Sequence, residues 1–419
     1  MRRFVYTLAL FALLPFTLLY LVWRARRQPA YLKHWRERFG FATPRASNRP
    51  LIWIHAISVG ETRAAQPLVR ALRERFPDHA ILLTHMTPTG RETARELFGD
   101  QIEQCYLPYD FPFAVAAFLR RFQPCIGILM ETEIWPNLIH AAHARAVPIL
   151  LVNARLSPKS ARRYARVAKL TRETLQRLSA VGAQNKTDAQ ALAALGARDI
   201  EVTGNMKFDI EPPANALSAG ALMRESFGER LVWVAASTRE GEEELLLRAL
   251  PLLKQESALL ILVPRHPQRF DQVAAIIERF GLAYQRRSSN QPIQPSTRIL
   301  LGDSMGELNT YYAACDVAFV GGSLKPFGGQ NLIEPCAVGK PVLFGPYTYN
   351  FAAAAQSALD SGAALRVEDA DDLIMQVGRV LGDGELRARM GRAGLRFSAL
   401  HRGATKKTLA LIERALQLN

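Results

Sequence analysis

The chain has 419 residues, of which 49% are hydrophobic and 22% are charged, a composition typical of globular proteins with a substantial core. The length suits two domains of roughly 150–200 residues each, and the composition excludes a disordered chain, a collagen-like chain and a coiled-coil rod. The net charge of +15 lies in the first half: residues 1–208 carry 30 basic and 15 acidic side chains, whereas residues 209–419 carry 23 of each. The first half therefore favours an anionic partner or a membrane surface.

Residues 4–23 carry no charge and are long enough to cross the hydrocarbon core of a bilayer as one helix. Pro15 would kink this helix without breaking it. More basic residues follow the stretch than precede it, so the positive-inside rule places the body of the protein in the cytoplasm. We predict a membrane anchor over residues 1–28. A cleaved signal peptide is disfavoured because no small-residue cleavage site follows, and a segment that lies along the membrane interface is a second alternative.

Beyond this segment, short apolar runs alternate with helical stretches such as 62–76 and 89–98. The predicted strands are 51–57, 80–84, 125–130, 147–153 and 180–184 in a first series, and 231–236, 257–263, 298–301, 317–320 and 341–344 in a second. This alternation predicts βαβ units with parallel sheets, in which ligands bind beyond the carboxyl ends of the strands.

A Pro-rich segment, Ile-Glu-Pro-Pro-Ala-Asn from position 210, separates the two series and is typical of a linker. We therefore predict an N-terminal domain over 29–208, a linker over 209–216 and a C-terminal domain over 217–419. The four cysteines form no Cys-x-x-Cys pair and are too few for a disulfide framework. We expect them to be free thiols that fill core space in a reducing compartment.

Four charged candidates lie in the first domain. Glu61 follows the first predicted strand in a Ser-Val-Gly-Glu-Thr segment, where it is either a first-turn acid stabilised by the helix dipole or a general base. Glu131 and Glu133 follow a later strand and, in an extended segment, would point the same way. They are either functional or buried acids paired with arginine. Lys207 is either a surface charge or a ligand for a phosphate.

The second domain carries further candidates at the ends of its predicted strands. Residues 236–244 combine helix-capping side chains with first-turn acids, and capping explains them adequately. Arg265 and His266 are fixed between two prolines, as suits a fork for phosphate or carboxylate. In the glycine-rich segment 321–335, backbone N–H groups could face an anion, Asn331 would open a helix, and Glu334 could accept from ribose hydroxyls.

Several function classes are disfavoured by missing patterns. The chain has no Gly-x-Gly-x-x-Gly fingerprint and no P-loop, which argues against dinucleotide-dependent dehydrogenases and P-loop enzymes. The basic residues form no stripe interleaved with aromatic residues, so no nucleic-acid partner is expected.

The motifs occur in a fixed order along the chain. They are Ser-Val-Gly-Glu-Thr at 58–62, Met-Thr-Pro-Thr-Gly at 86–90, Leu-Pro-Tyr-Asp at 107–110, Met-Glu-Thr-Glu-Ile-Trp-Pro-Asn at 130–137, Asn-Ala-Arg-Leu-Ser at 153–157, Lys-Phe-Asp at 207–209, Val-Pro-Arg-His-Pro at 263–267, Gly-Asp-Ser-Met-Gly-Glu-Leu at 302–308, Phe-Val-Gly-Gly-Ser-Leu at 319–324 and Asn331 to Pro335. Together they resemble the 3-deoxy-D-manno-octulosonic acid (Kdo) transferases of lipid A assembly. The loop 325–330, which varies in that family, departs from the pattern.

The resemblance implies an α/β protein of the GT-B type, with two doubly wound Rossmann-like domains facing a cleft and an N-terminal membrane-anchor helix. It implies a CMP-Kdo donor, the lipid A precursor (lipid IVA) as acceptor, and a location at the inner membrane with the body on the cytoplasmic side. It implies neither a metal nor another cofactor. The alternatives are a GT-B transferase that uses another nucleotide sugar, and a non-catalytic, membrane-anchored binder of anionic lipid.

The resemblance also assigns roles to individual residues. Glu61 matches the general base, and Glu131 and Lys207 match groups that assist the transition state. The residues that match the CMP-binding segments are Pro264, Arg265, Met305, Gly306, Glu307, Asn331, Leu332, Ile333 and Glu334.

Overall fold

The computed structural model describes residues 2–43, 48–209 and 214–417. The chain forms two compact units: the first extends to Asp209 and also includes the chain from His401 onward, and the second contains the residues in between. Residues 210–213 of the predicted linker lie outside the described residues.

The first unit contains a seven-stranded parallel sheet with the strand order β3-β2-β1-β4-β5-β6-β7. Its strands are β1 (Leu51–His55), β2 (Ala80–His85), β3 (Glu103–Tyr106), β4 (Ile126–Met130), β5 (Ile149–Ala154), β6 (Ala180–Ala183) and β7 (Ile200–Val202). The central strands are buried along their whole length, since helices cover both faces. Because β1 pairs with both β2 and β4, the winding of the sheet reverses beside β1, which is where such sheets bind ligands.

Eight α-helices lie in the described residues before the second unit. They are α1 (Arg2–Arg27), α2 (Val59–Arg75), α3 (Pro88–Phe98), α4 (Pro112–Phe122), α5 (Pro136–His143), α6 (Pro158–Ala165), α7 (Ala168–Leu175) and α8 (Lys186–Leu195). Side-chain caps fix where several of them begin: Ser58 accepts from the third residue of α2, Thr87 does the same for α3, and Asn185 for α8. Each cap satisfies a backbone N–H that the helix itself cannot bond.

The second unit repeats the design with the order β10-β11-β9-β8-β12-β13-β14. Its strands are β8 (Val232–Thr238), β9 (Leu259–Pro264), β10 (Tyr284–Arg286), β11 (Ile299–Leu301), β12 (Val317–Val320), β13 (Val342–Phe344) and β14 (Ala364–Arg366). Its helices are α9 (Ala214–Ser226), α10 (Glu242–Ala249), α11 (Phe270–Arg279), α12 (Leu308–Ala314), α13 (Ile333–Ala337), α14 (Ala352–Asp360), α15 (Ala370–Gly382) and α16 (Gly384–His401). Here β8 occupies the reversal point, between β9 and β12.

The last helix, α17 (Ala404–Gln417), belongs to the first unit. Its apolar face places Leu411 and Ile412 in the same buried cluster as β1 and α2. The carboxylate of Asp209 accepts hydrogen bonds from the backbone N–H groups of Gly403, at 2.7 Å, and Thr405. The sequence analysis assigned residues 401–419 to the C-terminal domain. The described part of this segment belongs instead to the first unit. Periodicity identifies an amphipathic helix but not the core that receives it.

The cysteines are all free, as predicted. Cys105, Cys315 and Cys336 are buried, and Cys125 is partly exposed.

We expect Leu411→Ala to destabilise the first unit by about 2–5 kcal/mol, because it leaves a cavity in that core. Hydrogen exchange on the full chain should show protection lost in β1, β2 and β4. The control is Leu400→Ala, whose side chain is 81% exposed and which should change stability by less than about 0.5 kcal/mol. Loss of protection confined to the second unit would contradict this assignment.

Candidate active site

The acids that follow β1 and β4 lie at one edge of the first sheet. The two strands are parallel neighbours in which His55 faces Leu129, so the segments after them leave the sheet side by side. Glu61 lies in the first turn of α2, and Glu131 and Glu133 lie between β4 and α5. The reversal point of the sheet therefore carries three carboxyl groups.

Glu61 is held by its own loop. One carboxylate oxygen accepts from the backbone N–H of Ile57 at 2.6 Å, and the other accepts from the Ser58 hydroxyl at 3.3 Å. Burial, together with the negative charge of Glu131, raises the pKa of Glu61 to about 7, although the hydrogen bond from Ile57 opposes the shift. A carboxyl group with a pKa near neutrality can both take up and release a proton under physiological conditions.

Glu131 adopts a left-handed backbone conformation, with φ 57°. The extended segment expected from the sequence is therefore wrong at this point, because a turn follows β4 directly. The side chains of Glu131 and Glu133 consequently reach different partners: Glu131 lies 3.5 Å from the ammonium group of Lys207. Non-glycine residues in this conformation cost energy and are concentrated at functional sites.

Glu133 enters a more enclosed environment. It accepts a hydrogen bond from the indole N–H of Trp135 at 2.7 Å, and one of its oxygens lies 4.0 Å from Nε2 of the buried His55. Burial raises the pKa of Glu133 to about 7 and lowers the pKa of His55 to about 3. The histidine is therefore neutral at physiological pH. Its Nδ1 lies 2.9 Å from the hydroxyl and 3.1 Å from the carbonyl of Thr84.

Lys207 is positioned by backbone contacts of its short 3-10 turn, Met206–Asp209. The side-chain oxygen of Asn153, at the end of β5, accepts from the N–H of Met206 at 3.1 Å, and Asn205 accepts from the N–H of Lys207 at 3.0 Å. The structure thus brings Lys207 to the predicted acids. Sequence reasoning did not identify His55 or Asn153 as neighbours of the site. The signal that could have indicated them is a polar residue near the end of an apolar strand, where each of them lies.

The donor-binding candidates also converge on one edge of their sheet. Arg265 follows β9, residues 305–307 follow β11, and residues 331–334 lie between β12 and β13. Since β11, β9, β8 and β12 are successive neighbours, the segments after them share the carboxyl edge at the reversal point of the second sheet. Pro264 ends β9, and the N–H of Arg265 bonds the carbonyl of Thr238 at 3.0 Å.

Residues 305–307 form a turn before α12. Met305 is 68% exposed, and Gly306 has φ 81°, a conformation that favours glycine. Glu307 accepts hydrogen bonds from Arg287 at 2.9 Å and from the hydroxyl of Ser304. Burial acts to raise the pKa of Glu307, but these hydrogen bonds outweigh it and the net pKa is lowered.

The segment 331–334 differs in detail from the prediction. The helix begins at Ile333, because Asn331 lies in the loop and its oxygen accepts from the N–H of Ile333 at 3.1 Å. Asn331 also donates to Glu334 at 3.0 Å, which fixes the direction of that carboxylate. Leu332 and Ile333 are each 1% exposed, so only their backbone could touch a ligand.

Glu242 has a role that the sequence did not indicate. Its fully buried carboxylate accepts from the N–H groups of Gly322 at 2.7 Å, Ser323 at 3.0 Å and Leu324 at 2.9 Å. It also accepts from the N–H of Arg239. The sequence had suggested that these loop N–H groups face an anion from outside the protein. In the structure they donate to a carboxylate of the protein itself. The expected side-chain cap is absent too, because the residue at the N-cap of α10 is Gly241, which has no side chain.

The neighbouring Glu243 is buried in a second fixed contact. Arg269 forms two hydrogen bonds to its carboxylate, at 2.7 and 2.9 Å, and the Thr238 hydroxyl donates at 2.7 Å. Both acids therefore hold the loops around the carboxyl edge. Among the described residues, no group of three or more His, Cys, Asp or Glu side chains is arranged to hold a metal ion.

Comparison with known proteins decides the family. One family model, described as 3-deoxy-D-manno-octulosonic-acid transferase, matches residues 33–210, and a second, glycosyl transferases group 1, matches residues 231–397. A 3-deoxy-D-manno-octulosonic acid transferase of Bordetella pertussis is 46% identical over 99% of both chains. The protein of the same name from Haemophilus influenzae is 39% identical over 100% of both. The chain belongs to the Kdo transferase family.

The predicted family is thereby confirmed, and with it the assignment of the chain as a glycosyltransferase. Among solved structures, a glycosyltransferase from Rickettsia africae superposes with a TM-score of 0.58 at 14% identity, covering 89% of this chain and 100% of that one. At this identity the likeness concerns the fold alone. It confirms the predicted GT-B type architecture with two Rossmann-like domains.

The raised pKa of Glu61 predicts the pH dependence of Kdo transfer. Because the carboxylate must be unprotonated to act as a base, we expect activity to fall below about pH 7. Glu131→Gln removes the neighbouring charge that raises the pKa of Glu61 most. The fall in activity should therefore occur at lower pH in this variant. Glu133→Gln should move it less, since its charge contributes less to the pKa. The measurement is the pH profile of kcat/KM; an unchanged limb in Glu131→Gln would contradict the electrostatic explanation.

Removing the charge of Glu242 should loosen the glycine-rich loop. In Glu242→Gln an amide can point a donor at N–H groups that need an acceptor, so we expect a loss of about 1–3 kcal/mol in the free energy of unfolding. Thermal or denaturant unfolding measures it. The matched control is Glu244→Gln, a partly exposed acid in the same turn of α10 whose one ion pair, with Arg279, lies at the surface and which should cost about 1 kcal/mol or less. Equal losses would show that the carboxylate is not specifically required.

Proposed function

We propose that this Kdo transferase moves Kdo from CMP-Kdo to the lipid A precursor (lipid IVA) by direct displacement, with Glu61 as the general base. The observation that carries the proposal is the partly buried Glu61 carboxyl, whose pKa is raised to about 7 beside two further acids. A carboxylate without that shift would be a weak base at neutral pH.

The proposed step is a direct displacement at the anomeric carbon of Kdo. A hydroxyl oxygen of the acceptor attacks the anomeric carbon of Kdo while the Glu61 carboxylate takes its proton. The bond between that carbon and the CMP phosphate oxygen breaks, and CMP leaves with the bonding electron pair. Positive charge develops on the sugar ring and negative charge on the leaving phosphate, so fixed groups of opposite sign lower the barrier.

Glu131 and Lys207 are proposed to assist the transition state as a pair. Their charged groups are 3.5 Å apart, and both side chains are partly exposed, at 23% and 21%. A pair at this separation keeps the ammonium oriented, while each partner retains a face for substrate. We assign the carboxylate to the electron-poor ring carbon and the ammonium to the electron-rich oxygens.

The donor nucleotide is assigned to the carboxyl edge of the second sheet. Arg265 supplies a cation for the phosphate, and the Glu334 carboxylate, oriented by Asn331, suits ribose hydroxyls. Residues 305–307 and 331–334 are short turns fixed by internal hydrogen bonds. Such pre-ordered loops reduce the entropy lost on binding. The reaction is proposed to need no metal ion.

The acceptor and the location follow from the charge and the N-terminal helix. The acceptor is a lipid with two phosphates, and the excess of basic residues lies in the half of the chain that carries Glu61. One helix, Arg3–Arg26, is long and apolar enough to cross a membrane by length and composition. We therefore propose attachment to the inner membrane with the catalytic residues on the cytoplasmic side.

The decisive experiment is a transfer assay with the detergent-solubilised full chain, CMP-Kdo generated in the assay, lipid IVA and a chelator, with products read by mass. A gain of one or more Kdo units supports the proposal and counts the additions. No product from folded, CMP-binding protein would point to another acceptor. Binding of a different nucleotide with no CMP binding would favour a different sugar donor.

Glu61→Gln should reduce transfer by roughly 10²–10⁴-fold, because the amide cannot accept the proton. CMP binding, measured by calorimetry, should be unchanged. Glu96→Gln, an exposed acid on α3, serves as the control for loss of one negative charge and should retain activity. Near-normal turnover in Glu61→Gln would remove Glu61 as the base.

A further inference from the structure

The N-terminal helix α1 contacts the first unit along one face, through its first half and again near its end. The side chains on that face are less exposed than their neighbours and recur every three to four residues. They are Tyr6, Thr7, Leu10, Leu14, Thr17, Leu21, Arg24 and Ala25. At 100° per residue these positions fall within one stripe about 100° wide. The stripe is continuous from the first turn of the helix to the last.

Polar contacts hold the first turns of α1. The Tyr6 hydroxyl donates to the carboxylate of Asp110 at 3.0 Å, and the Thr7 hydroxyl lies 3.0–3.2 Å from the side-chain amide of Asn137. Asp110 is 3% exposed and also accepts from the N–H groups of Asn137 and Leu138, at 2.9 and 2.8 Å. A buried carboxylate with defined partners makes this contact directional.

Apolar and cationic contacts hold the rest of the helix. Leu10 and Leu14 pack against Phe39, Phe111 and Ala114 in the middle. Near the other end, Leu21 and Ala25 enclose Tyr31.

Tyr31 in turn joins this end of α1 to the body. The Arg24 guanidinium lies 4.7 Å from the ring centre of Tyr31 and bonds its hydroxyl. The buried Arg38 lies 5.9 Å from the same ring and 4.0 Å from that of Tyr106, the last residue of β3.

These contacts constrain how α1 can meet a membrane. A helix of 26 residues is about 39 Å long, more than the hydrocarbon thickness of a bilayer. If it crossed the bilayer, its two ends would lie on opposite sides. Both ends instead contact the same folded unit, near Asp110 and near Tyr31. The whole helix therefore stays on one side.

The outward face of α1 has the composition of a membrane-binding surface. Phe4, Phe16 and Leu19 are 66–70% exposed, and aromatic and aliphatic residues cover the remaining circumference. The exposed Trp35 and Phe41 extend this surface into the segment that follows α1. Water-exposed apolar surface of this extent marks an interaction site.

Basic residues border the same surface. Trp35 and Phe41 line a cavity of about 980 Å³ together with Arg36, Arg120 and Arg121. Apolar residues beside arginines match the boundary between acyl chains and anionic headgroups. The occupant that fits both the apolar face and the charge is one leaflet of an anionic bilayer.

We propose that α1 is an in-plane anchor: docked on the first unit through Asp110 and Asn137, it immerses its outward face in one leaflet without crossing the bilayer. This inference rests on the proposed membrane location. It also gives a role to Asp110 and Asn137, the last residues of the motifs at 107–110 and 130–137, neither of which the proposed catalysis uses. Because Asn137 follows Glu131 and Glu133 by a few residues, the leaflet meets the protein at the edge that carries the catalytic candidates.

Topology is the direct test. The full chain, with one epitope tag before Met1 and another after Asn419, is reconstituted in vesicles containing anionic lipid. Protease is then added outside. In vesicles where the C-terminal tag is cleaved, we expect the N-terminal tag to be cleaved equally. An N-terminal tag protected until detergent is added would overturn the proposal in favour of a spanning helix.

A disulfide tests the docking itself. In a Cys125→Ser background, Thr7→Cys with Asn137→Cys should cross-link under mild oxidation in membranes, as read by mass. Leu8→Cys with Asn137→Cys is the matched control, because Leu8 is 59% exposed and lies about 100° further round the helix. Equal cross-linking in both, or in neither, would contradict the docked arrangement. Unfolded variants are recognised by loss of CMP binding, and the topology assay then decides.

Flotation tests the outward face. Phe16→Glu with Leu19→Glu should weaken binding to anionic vesicles by roughly tenfold or more, because charges replace two apolar side chains that the proposal immerses in the leaflet. Leu400→Glu, on an equally exposed leucine of the second unit, should bind like the parent. Transfer to detergent-dispersed acceptor is measured on each sample. If the double variant no longer floats but still transfers Kdo, the anchor is supported independently of the catalytic proposal. If the parent itself does not float, both the anchor and the membrane location are overturned.

Discussion

The site depends on the parallel pairing of β1 with both β2 and β4. This pairing alone makes the segments after β1 and β4 neighbours, although about 70 residues separate them in the chain. It places Glu61 beside Glu131 and Glu133 at an edge that is partly shielded from water. Burial and the negative charge of Glu131 both raise the pKa of Glu61 and of Glu133, and Lys207 lies within ion-pair distance of Glu131. As a result, the pKa of Glu61 is raised to about 7, which suits the general base that we propose.

The second unit has a similar sheet with a different strand order, because β11 lies between β9 and β10, and its acids have different partners. Its reversal point also lies beside the first strand of the sheet, β8, but the buried acids there are fully bonded. Glu242 binds backbone N–H groups and Glu243 binds Arg269. The oxygens of both carboxylates already accept several hydrogen bonds from the protein. The acids that follow the first strand of each sheet therefore differ: Glu61 is the proposed general base, whereas Glu242 fixes the backbone of a loop.

The sequence predicted the centre of each sheet and missed its margins. All strands that have two neighbours were identified, whereas β3, β7, β10 and β14, the outer strands, were not. An outer strand is covered less completely, so residues such as Glu103 and Glu201 interrupt its apolar pattern. Glu61 was singled out because it follows an apolar run, whereas the role predicted for Lys207 came from the family resemblance. The backbone turn at Glu131 and the Glu242 contacts depend on tertiary packing that no local pattern records.

The docked helix unites two observations that are separate in the sequence, the basic first half and the apolar N-terminus. An anionic surface attracts protons as well as basic side chains, and would by itself push the pKa of nearby carboxyl groups upward. In the proposed arrangement, the surplus of arginine and lysine in the first half would draw an anionic leaflet close. The same surplus would bring the proposed anionic lipid acceptor to the edge of the sheet that carries Glu61.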